Sequence, residues 1–342
     1  LTLNHFHKRW ILKMPSAIRF DAAERLTDLQ GYGENAPNAR WPNGARVALS
    51  IVLNIEEGSE RHIDDGDSAS ENLNTDMNCD PIPGQRNLNL ESHYEYGSRV
   101  GVWRLLNMFR ERQLPVTAFA VGQALERVPA IGHRMVADGH EIAAHSWRWI
   151  DYRNMPREEE AEHMRRAVAA IRKVTGVAPV GWYTGRVSEQ TRQLLLEHGG
   201  FLYDSDAYND DLPYWVPHSG GHHLVVPYAF DTNDMRFAST PGFVSGRDWS
   251  DYLIDSFDQF WIEGAHCPRM MTVGLHCRLA GRPGRLRALA RFLDHVGAHD
   301  EVWITRRADI ARHWYTHHAV ETELDKADLK PHQSEAPDEH RI

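Results

Sequence analysis

Four short polar blocks stand at the ends of apolar runs, and their residue types suit hydrolytic chemistry. The first is Asn54-Ile55-Glu56-Glu57-Gly58, at the end of RVALSIVLN (46–54). Adjacent carboxylates repel, which raises the pKa of at least one and keeps a proton available for acid–base work. The same pair also reads as a base beside a metal ligand, or as solvated loop acids. The second block, His145 to Tyr152 (HSWRWIDY), places an imidazole at a strand end beside Trp and Asp. The third, Gly181-Trp182-Tyr183-Thr184-Gly185-Arg186, offers ring faces and a guanidinium fork to a flat polar ligand, or is a strand edge with a packed Trp. The fourth, Gly274-Leu275-His276-Cys277-Arg278, is another strand ending in His, with an Arg two residues on. Two further stretches, one holding Asp204 and Asp206 and one holding Asn233 and Asp234, mix donors, acceptors and aromatics. They suit an amide-reading pocket, or equally capping and turn chemistry.

The elements that position these blocks alternate. Strands are expected at 46–54, 115–121, 140–146, 179–183, 223–228, 270–276 and 301–305. Helices are expected at 97–113, 123–138, 156–175, 188–198, 248–263 and 284–298. In helix 156–175, Pro156 fits the first turn, three glutamates follow at the positive end, and Gly176 ends it. Val100, Trp103, Leu106 and Phe109 give the apolar side of 97–113, and 59–95 reads as a long polar loop. Apolar strands alternating with helices predict an α/β fold, a (β/α) barrel with helices outside and a site at the carboxyl ends of its strands. The expected organisation is an N-terminal extension and arm (1–44), a catalytic barrel (45–315) and a polar tail (316–342). Tyr32 and Trp41 imply that the arm packs on the body.

The 342 residues carry 38 Lys+Arg against 48 Asp+Glu, a net charge of −10. That balance argues against nucleic acid and anionic membranes as partners. No apolar run approaches the length of a membrane helix. Three scattered cysteines, Cys79, Cys267 and Cys277, read as reduced thiols, and the expected location is cytoplasmic. Residues 1–13 are basic and lack a signal peptide's apolar region. Met14 is taken as a candidate first residue, and 1–13 are left out of the fold reading.

Taken in order, the blocks resemble the motifs of the polysaccharide deacetylase (NodB-homology) superfamily over about residues 28–315. The family's Thr-Phe-Asp-Asp aligns with Asn54-Ile55-Glu56-Glu57, and its His-Ser/Thr-x-x-His with His145 to Trp149. Its Arg-x-Pro motif falls near Trp182–Arg186, its fourth motif near Asp204–Trp215, and its Leu-His at Leu275-His276. The resemblance implies a distorted seven-stranded barrel. In metal-dependent members one Asp and both His hold the metal. Here Glu57 replaces that Asp, and Trp149 replaces the second His. An indole N–H donates only and cannot ligate a cation. No catalytic metal and no cofactor are therefore expected.

These departures, with LNxEEG, HxWRWIDY, GWYTGR and GLHCRLxGRPxR, look like the branch of metal-independent allantoinases. The activity implied is opening of the hydantoin ring of allantoin to allantoate, in purine breakdown. By family position Glu56 is the general base and His276 the acid for the leaving nitrogen. His145 and Arg186 steady the oxyanion or grip a carbonyl. Trp149 walls the ring, and Asn54, Glu57, Trp182, Tyr183, Asp204, Asp206, Asn233, Asp234 and Arg278 line the substrate. The resemblance also implies a homo-oligomer, a tetramer. Competing readings are a cyclic imide hydrolase, a carbohydrate N-deacetylase and a non-catalytic ligand-binding barrel. An open groove would favour a polymer; a pocket capped by 59–95 would favour a small ring.

Overall fold

Strand β1 (Val47–Ile55) is buried along its whole length: strands flank both edges, helices such as the one holding Leu105, Leu106 and Phe109 cover one face, and Phe119, Tyr183 and Tyr228 pack on the other. That is why its sequence is apolar on both faces rather than alternating. Each fully buried Leu, Ile or Val in it is worth roughly 1.5–3 kcal/mol of burial. The computed structural model describes residues 28–77 and 79–320. The other strands are β2 (Thr117–Ala120), β3 (Glu141–Ala144), β4 (Gly181–Trp182), β5 (Tyr203–Asp204), β6 (Tyr214–His218), β7 (Gly221–Val225), β8 (Arg269–His276) and β9 (Val302–Ile304).

The sheet runs β6-β7-β5-β4-β3-β2-β1-β8, and β9 pairs with the start of β1. From β7 through β8 the seven strands are parallel, and only β6 is antiparallel. This is the expected barrel-type α/β fold, with a seam between its two ends. Irregular chain fills that seam. The Met270 N–H donates to the Asp211 carbonyl, the Thr232 hydroxyl donates to the Thr272 carbonyl (2.5 Å), and Arg307 donates to the Val226 and Pro227 carbonyls.

Helix Arg157–Thr175 matches its expected span, capped by Gly176 at φ +83°. Its buried face is Met164, Ala167, Ala170 and Ile171. Elsewhere the sequence reading needs correction. The helical region before β2 starts at Leu88, not 97: Leu88–Tyr96 passes through a π-helical turn, Gly97–Gly101, into Val102–Glu111. Its first part reads as loop because it buries Glu91 and His93 beside Leu90 and Tyr94, which hides the apolar period. The buried face of the second part is Val102, Leu105, Leu106 and Phe109, and Val100 is exposed. Segment 123–138 is two helices, broken at Val128 before Pro129, whose ring cannot continue a helix. The expected strand 223–228 appears as β7, starting two residues earlier, while its hairpin partner β6 and the helix Arg307–His317 were not anticipated.

The Tyr32 hydroxyl donates to the Pro213 carbonyl (2.6 Å), and Trp41 is buried against Trp303 and Trp314, so both of these arm residues pack on the body. Residues 1–27 of the expected extension and arm and most of the polar tail lie outside the described residues. Cys79, Cys267 and Cys277 are free thiols. Among the described residues, no helix is long and apolar enough to cross a membrane.

Candidate active site

Strands β1 and β8 pair in register along eight residues, which sets Asn54 opposite His276. Glu56 and Glu57 follow immediately. Strand β3 ends at Ala144, and the chain then turns sharply through Ser146, a non-glycine residue at φ +60°. That turn leaves His145 at the same end of the sheet. Glu56 Oε1 lies 3.5 Å from His145 Nε2 and 3.4 Å from His276 Nε2. Three strand ends therefore converge on one carboxylate.

Two further groups complete the cluster. Asp234 Oδ1 accepts from His276 Nδ1 (2.7 Å), and its Oδ2 accepts the backbone N–H of His276 and Ala280. The imidazole is thereby fixed with Nε2 towards Glu56. Arg278, expected to line the substrate, is fully buried. Its Nη1 lies 2.8 Å from Glu56 Oε2 and 3.3 Å from Glu57 Oε1, and its Nε donates to the Asn74 carbonyl. Its guanidinium lies 4.6 Å from the Tyr94 ring centre and 4.8 Å from that of Trp149. Glu57 also accepts the Arg278 N–H, and a Cβ on Gly97 would fall inside the Glu57 carboxylate, so the π-helical turn closes on this acid.

Electrostatics separates these groups. Burial alone would raise Glu56, but His276, Arg278 and the contact with His145 outweigh it and hold the carboxyl well below its usual range. Burial pushes Glu57 up, only partly offset by Arg278. Burial would lower His276, yet Glu56 and Asp234 override it and raise the imidazole to about 9. Burial lowers His145, beyond what Glu56 restores, and its Nδ1 is buried without a partner. Near neutral pH the cluster therefore holds an ionised Glu56, a cationic His276 and a neutral His145. A split of this kind separates acid from base.

The remaining predicted residues fall into two sets. Trp149 adjoins Arg278, and Arg186 lies 4.6 Å from the same ring, donating to the Trp149 carbonyl (2.7 Å) and lying 3.5 Å from Glu71. Tyr183 stacks on Phe119 and lies 4.8 Å from His145. Asn54 donates to the Tyr228 hydroxyl, as does Asn233. The second set is engaged by other protein groups. Asp204 is paired with Arg192 (2.7 Å) and His223 (3.0 Å). Asp206 accepts the N–H groups of Thr184 and Gly185, and burial beside Asp204 lifts it to about 7. Trp182 packs on Phe201, with its indole N–H on Thr184. Residues on either side of the undescribed position 78, within 59–95, pack over the site. Arg148 binds Asp67 (2.5 Å) and the Glu60 carbonyl, the Trp149 N–H donates to the Ser59 carbonyl, and the Tyr94 hydroxyl donates to Leu73. Glu56, His145 and His276 are only 1%, 2% and 4% exposed. Asn74, Glu71 and Tyr94 were missed by the sequence reading; the aromatic Tyr94 inside a polar stretch was the available signal.

A sequence model of the family described as "Polysaccharide deacetylase" matches residues 90–200. A Schizosaccharomyces pombe protein named "Putative polysaccharide deacetylase" is 41% identical over 311 residues, covering 85% of this chain and 97% of that one. The chain belongs to the polysaccharide deacetylase family, a family of hydrolases. Two solved structures are each 52% identical to it. One, described as "Puue Allantoinase", superposes with a TM-score of 0.85 and covers 86% of this chain and 98% of that one. The other, a "probable Polysaccharide deacetylase" from Pseudomonas aeruginosa PAO1, gives 0.84, with 86% and 99% covered.

The metal that the deacetylase resemblance implies does not fit here. Trp149 supplies no lone pair, and the Arg278 guanidinium already bridges the two glutamates, where a second cation would be repelled. Among the described residues, the groups of this site do not bring three His, Cys, Asp or Glu ligand atoms together as a cation requires.

Proposed function

We propose that this polysaccharide deacetylase relative hydrolyses the ring amide of allantoin to allantoate by proton transfer between side chains. The observation that carries the reading is Arg278 bonded to both glutamates of the first motif, a built-in cation where metal-dependent relatives need an ion. The 52% identity to a structure described as an allantoinase supports it independently.

In this reading Glu56 Oε1 takes a proton from water as the water oxygen attacks the ring carbonyl carbon. His276, cationic at Nε2, gives its proton to the ring nitrogen as the carbon–nitrogen bond breaks. The two transfers assist each other. Once His276 has lost its charge, the proton arriving on Glu56 faces one positive neighbour fewer, so the carboxylate becomes a better base. Asp234 keeps the imidazole aimed. His145 and Arg186 meet the oxyanion or a substrate carbonyl, and Trp149 offers a flat wall to a planar ring. The cover formed by 59–95 suits a small molecule rather than a polymer.

A second reading, carbohydrate N-deacetylation, is favoured by the names of the S. pombe and P. aeruginosa relatives. The deciding experiment is an assay of chelator-treated protein on allantoin, on succinimide and on an N-acetylated chitooligosaccharide. Ring opening of allantoin at full rate is expected. Turnover of the oligosaccharide alone, restored by added metal, would overturn the proposal, and turnover of succinimide alone would reassign the substrate to cyclic imides.

A further inference from the structure

Outside this site, another group of side chains converges on a different chemistry. We propose that Asp258, His295 and His299 bind one divalent transition-metal ion of the zinc class. Asp258 lies in helix Gly246–Glu263; His295 lies near the end of helix Pro283–Val296, and His299 follows in the turn beyond it. One ligand atom from each lies within 4.8 Å of the other two, and all three residues are partly exposed, so an aqueous ion can reach them.

The hydrogen bonds already set which ring nitrogen carries the hydrogen in two of the ligands. His299 Nδ1 lies 3.0 Å from the His295 backbone carbonyl. A carbonyl only accepts, so Nδ1 carries the hydrogen, and in the neutral ring Nε2 keeps its lone pair for a metal. This is the supporting bond that ligating histidines ordinarily make. His295 Nε2 donates to Asp258 Oδ1 at 2.6 Å, so a proton now holds the place between them. An ion with bonds of about 2.0–2.2 Å would displace that proton and part the two atoms to about 3.3 Å, the edge of a tetrahedron.

The surroundings favour a bound ion. Phe257 stands edge-on to both imidazoles at 5.8 and 5.0 Å, and Trp261 stands edge-on to His299 at 5.3 Å. They form an apolar wall behind the ligands. Arg46 lies over the Trp261 ring, but its charge is met by Glu301 at 2.7 Å. Two imidazoles and a carboxylate select zinc-class ions over calcium or magnesium and leave a fourth position for water. The bound ion would tie helix Gly246–Glu263 to the turn that leads into β9. The proposal does not depend on the substrate assigned above.

The test uses the full chain, stripped with chelator and titrated calorimetrically with ZnCl2 near pH 7.5. One ion per chain is expected, bound at least about ten-fold more weakly in His295→Ala and in His299→Ala. At a free concentration of about 100 times Kd, zinc should raise the Tm of the unaltered chain by roughly 4 °C and that of the variants by no more than about 2 °C. Cobalt(II) on the unaltered chain should give the intense visible bands of a tetrahedral complex. This readout needs no variant to fold. No binding, an octahedral cobalt spectrum, or equal zinc affinity in the unaltered chain and the double variant would each overturn the proposal.

Discussion

Arg278 Nη1 stands 2.8 Å from Glu56 Oε2 and 3.3 Å from Glu57 Oε1, all three side chains being buried. Removing one partner from a buried ion cluster strands the others. Arg278→Met should therefore destabilise the fold by about 3–5 kcal/mol. Arg278→Lys keeps the charge but loses the fork and the Asn74 contact, so its loss should be smaller. Urea denaturation of both variants checks the order; equal losses would mean that the charge is not what matters.

Glu56→Gln and His276→Ala should each lower kcat on allantoin by roughly 10²-fold or more, the usual contribution of one acid or base. If both variants stay folded by circular dichroism and either retains full turnover, that residue leaves the mechanism.

The raised pKa of His276 predicts both an activity limb and a stability trend. As an acid it is lost as pH rises through about 9, and kcat should fall there. Its folded-state value exceeds the ordinary value near 6.5. Its stabilising contribution is thus complete below about pH 6.5 and fades as pH rises through about 9. Glu56 runs the other way: its value is depressed, so its contribution is present above about pH 4.5 and fades as acid brings the pH down through its lowered value. Histidine-resolved NMR titration separates these from global unfolding.

Asp234→Asn keeps the size of the His276 partner and removes its charge. The imidazole should titrate at lower pH, moving the alkaline limb of the rate profile downward, while KM changes little. A lower kcat with an unmoved limb would reduce Asp234 to a packing role.

The barrel was legible because β1 and β8 are mostly apolar and lead into acids and a histidine. Such runs need burial on both faces, and the parallel sheet provides it. Glu56, His145 and His276 could be placed together from those endings. Asp234 was read as a substrate contact because 42 residues separate it from His276, and no local pattern announces that contact. Arg278 was read as lining for a similar reason. The short helix Cys277–Ala280 begins directly after β8, and the cation turns in beneath Asn74 instead of facing outward. The partners of Asp204, Arg192 and His223, lie on other elements and are likewise not announced by its local spacing. Local spacing reports strand ends well; it does not report which charges fold back to neutralise one another.

The proposed acid and base stand at the ends of adjacent strands paired over eight residues, whereas much of the roof above them is irregular chain held by scattered hydrogen bonds. Roof and floor need not melt together. Gentle heating should silence turnover while the far-ultraviolet signal of the barrel persists, and cooling should restore the rate without any refolding of the sheet.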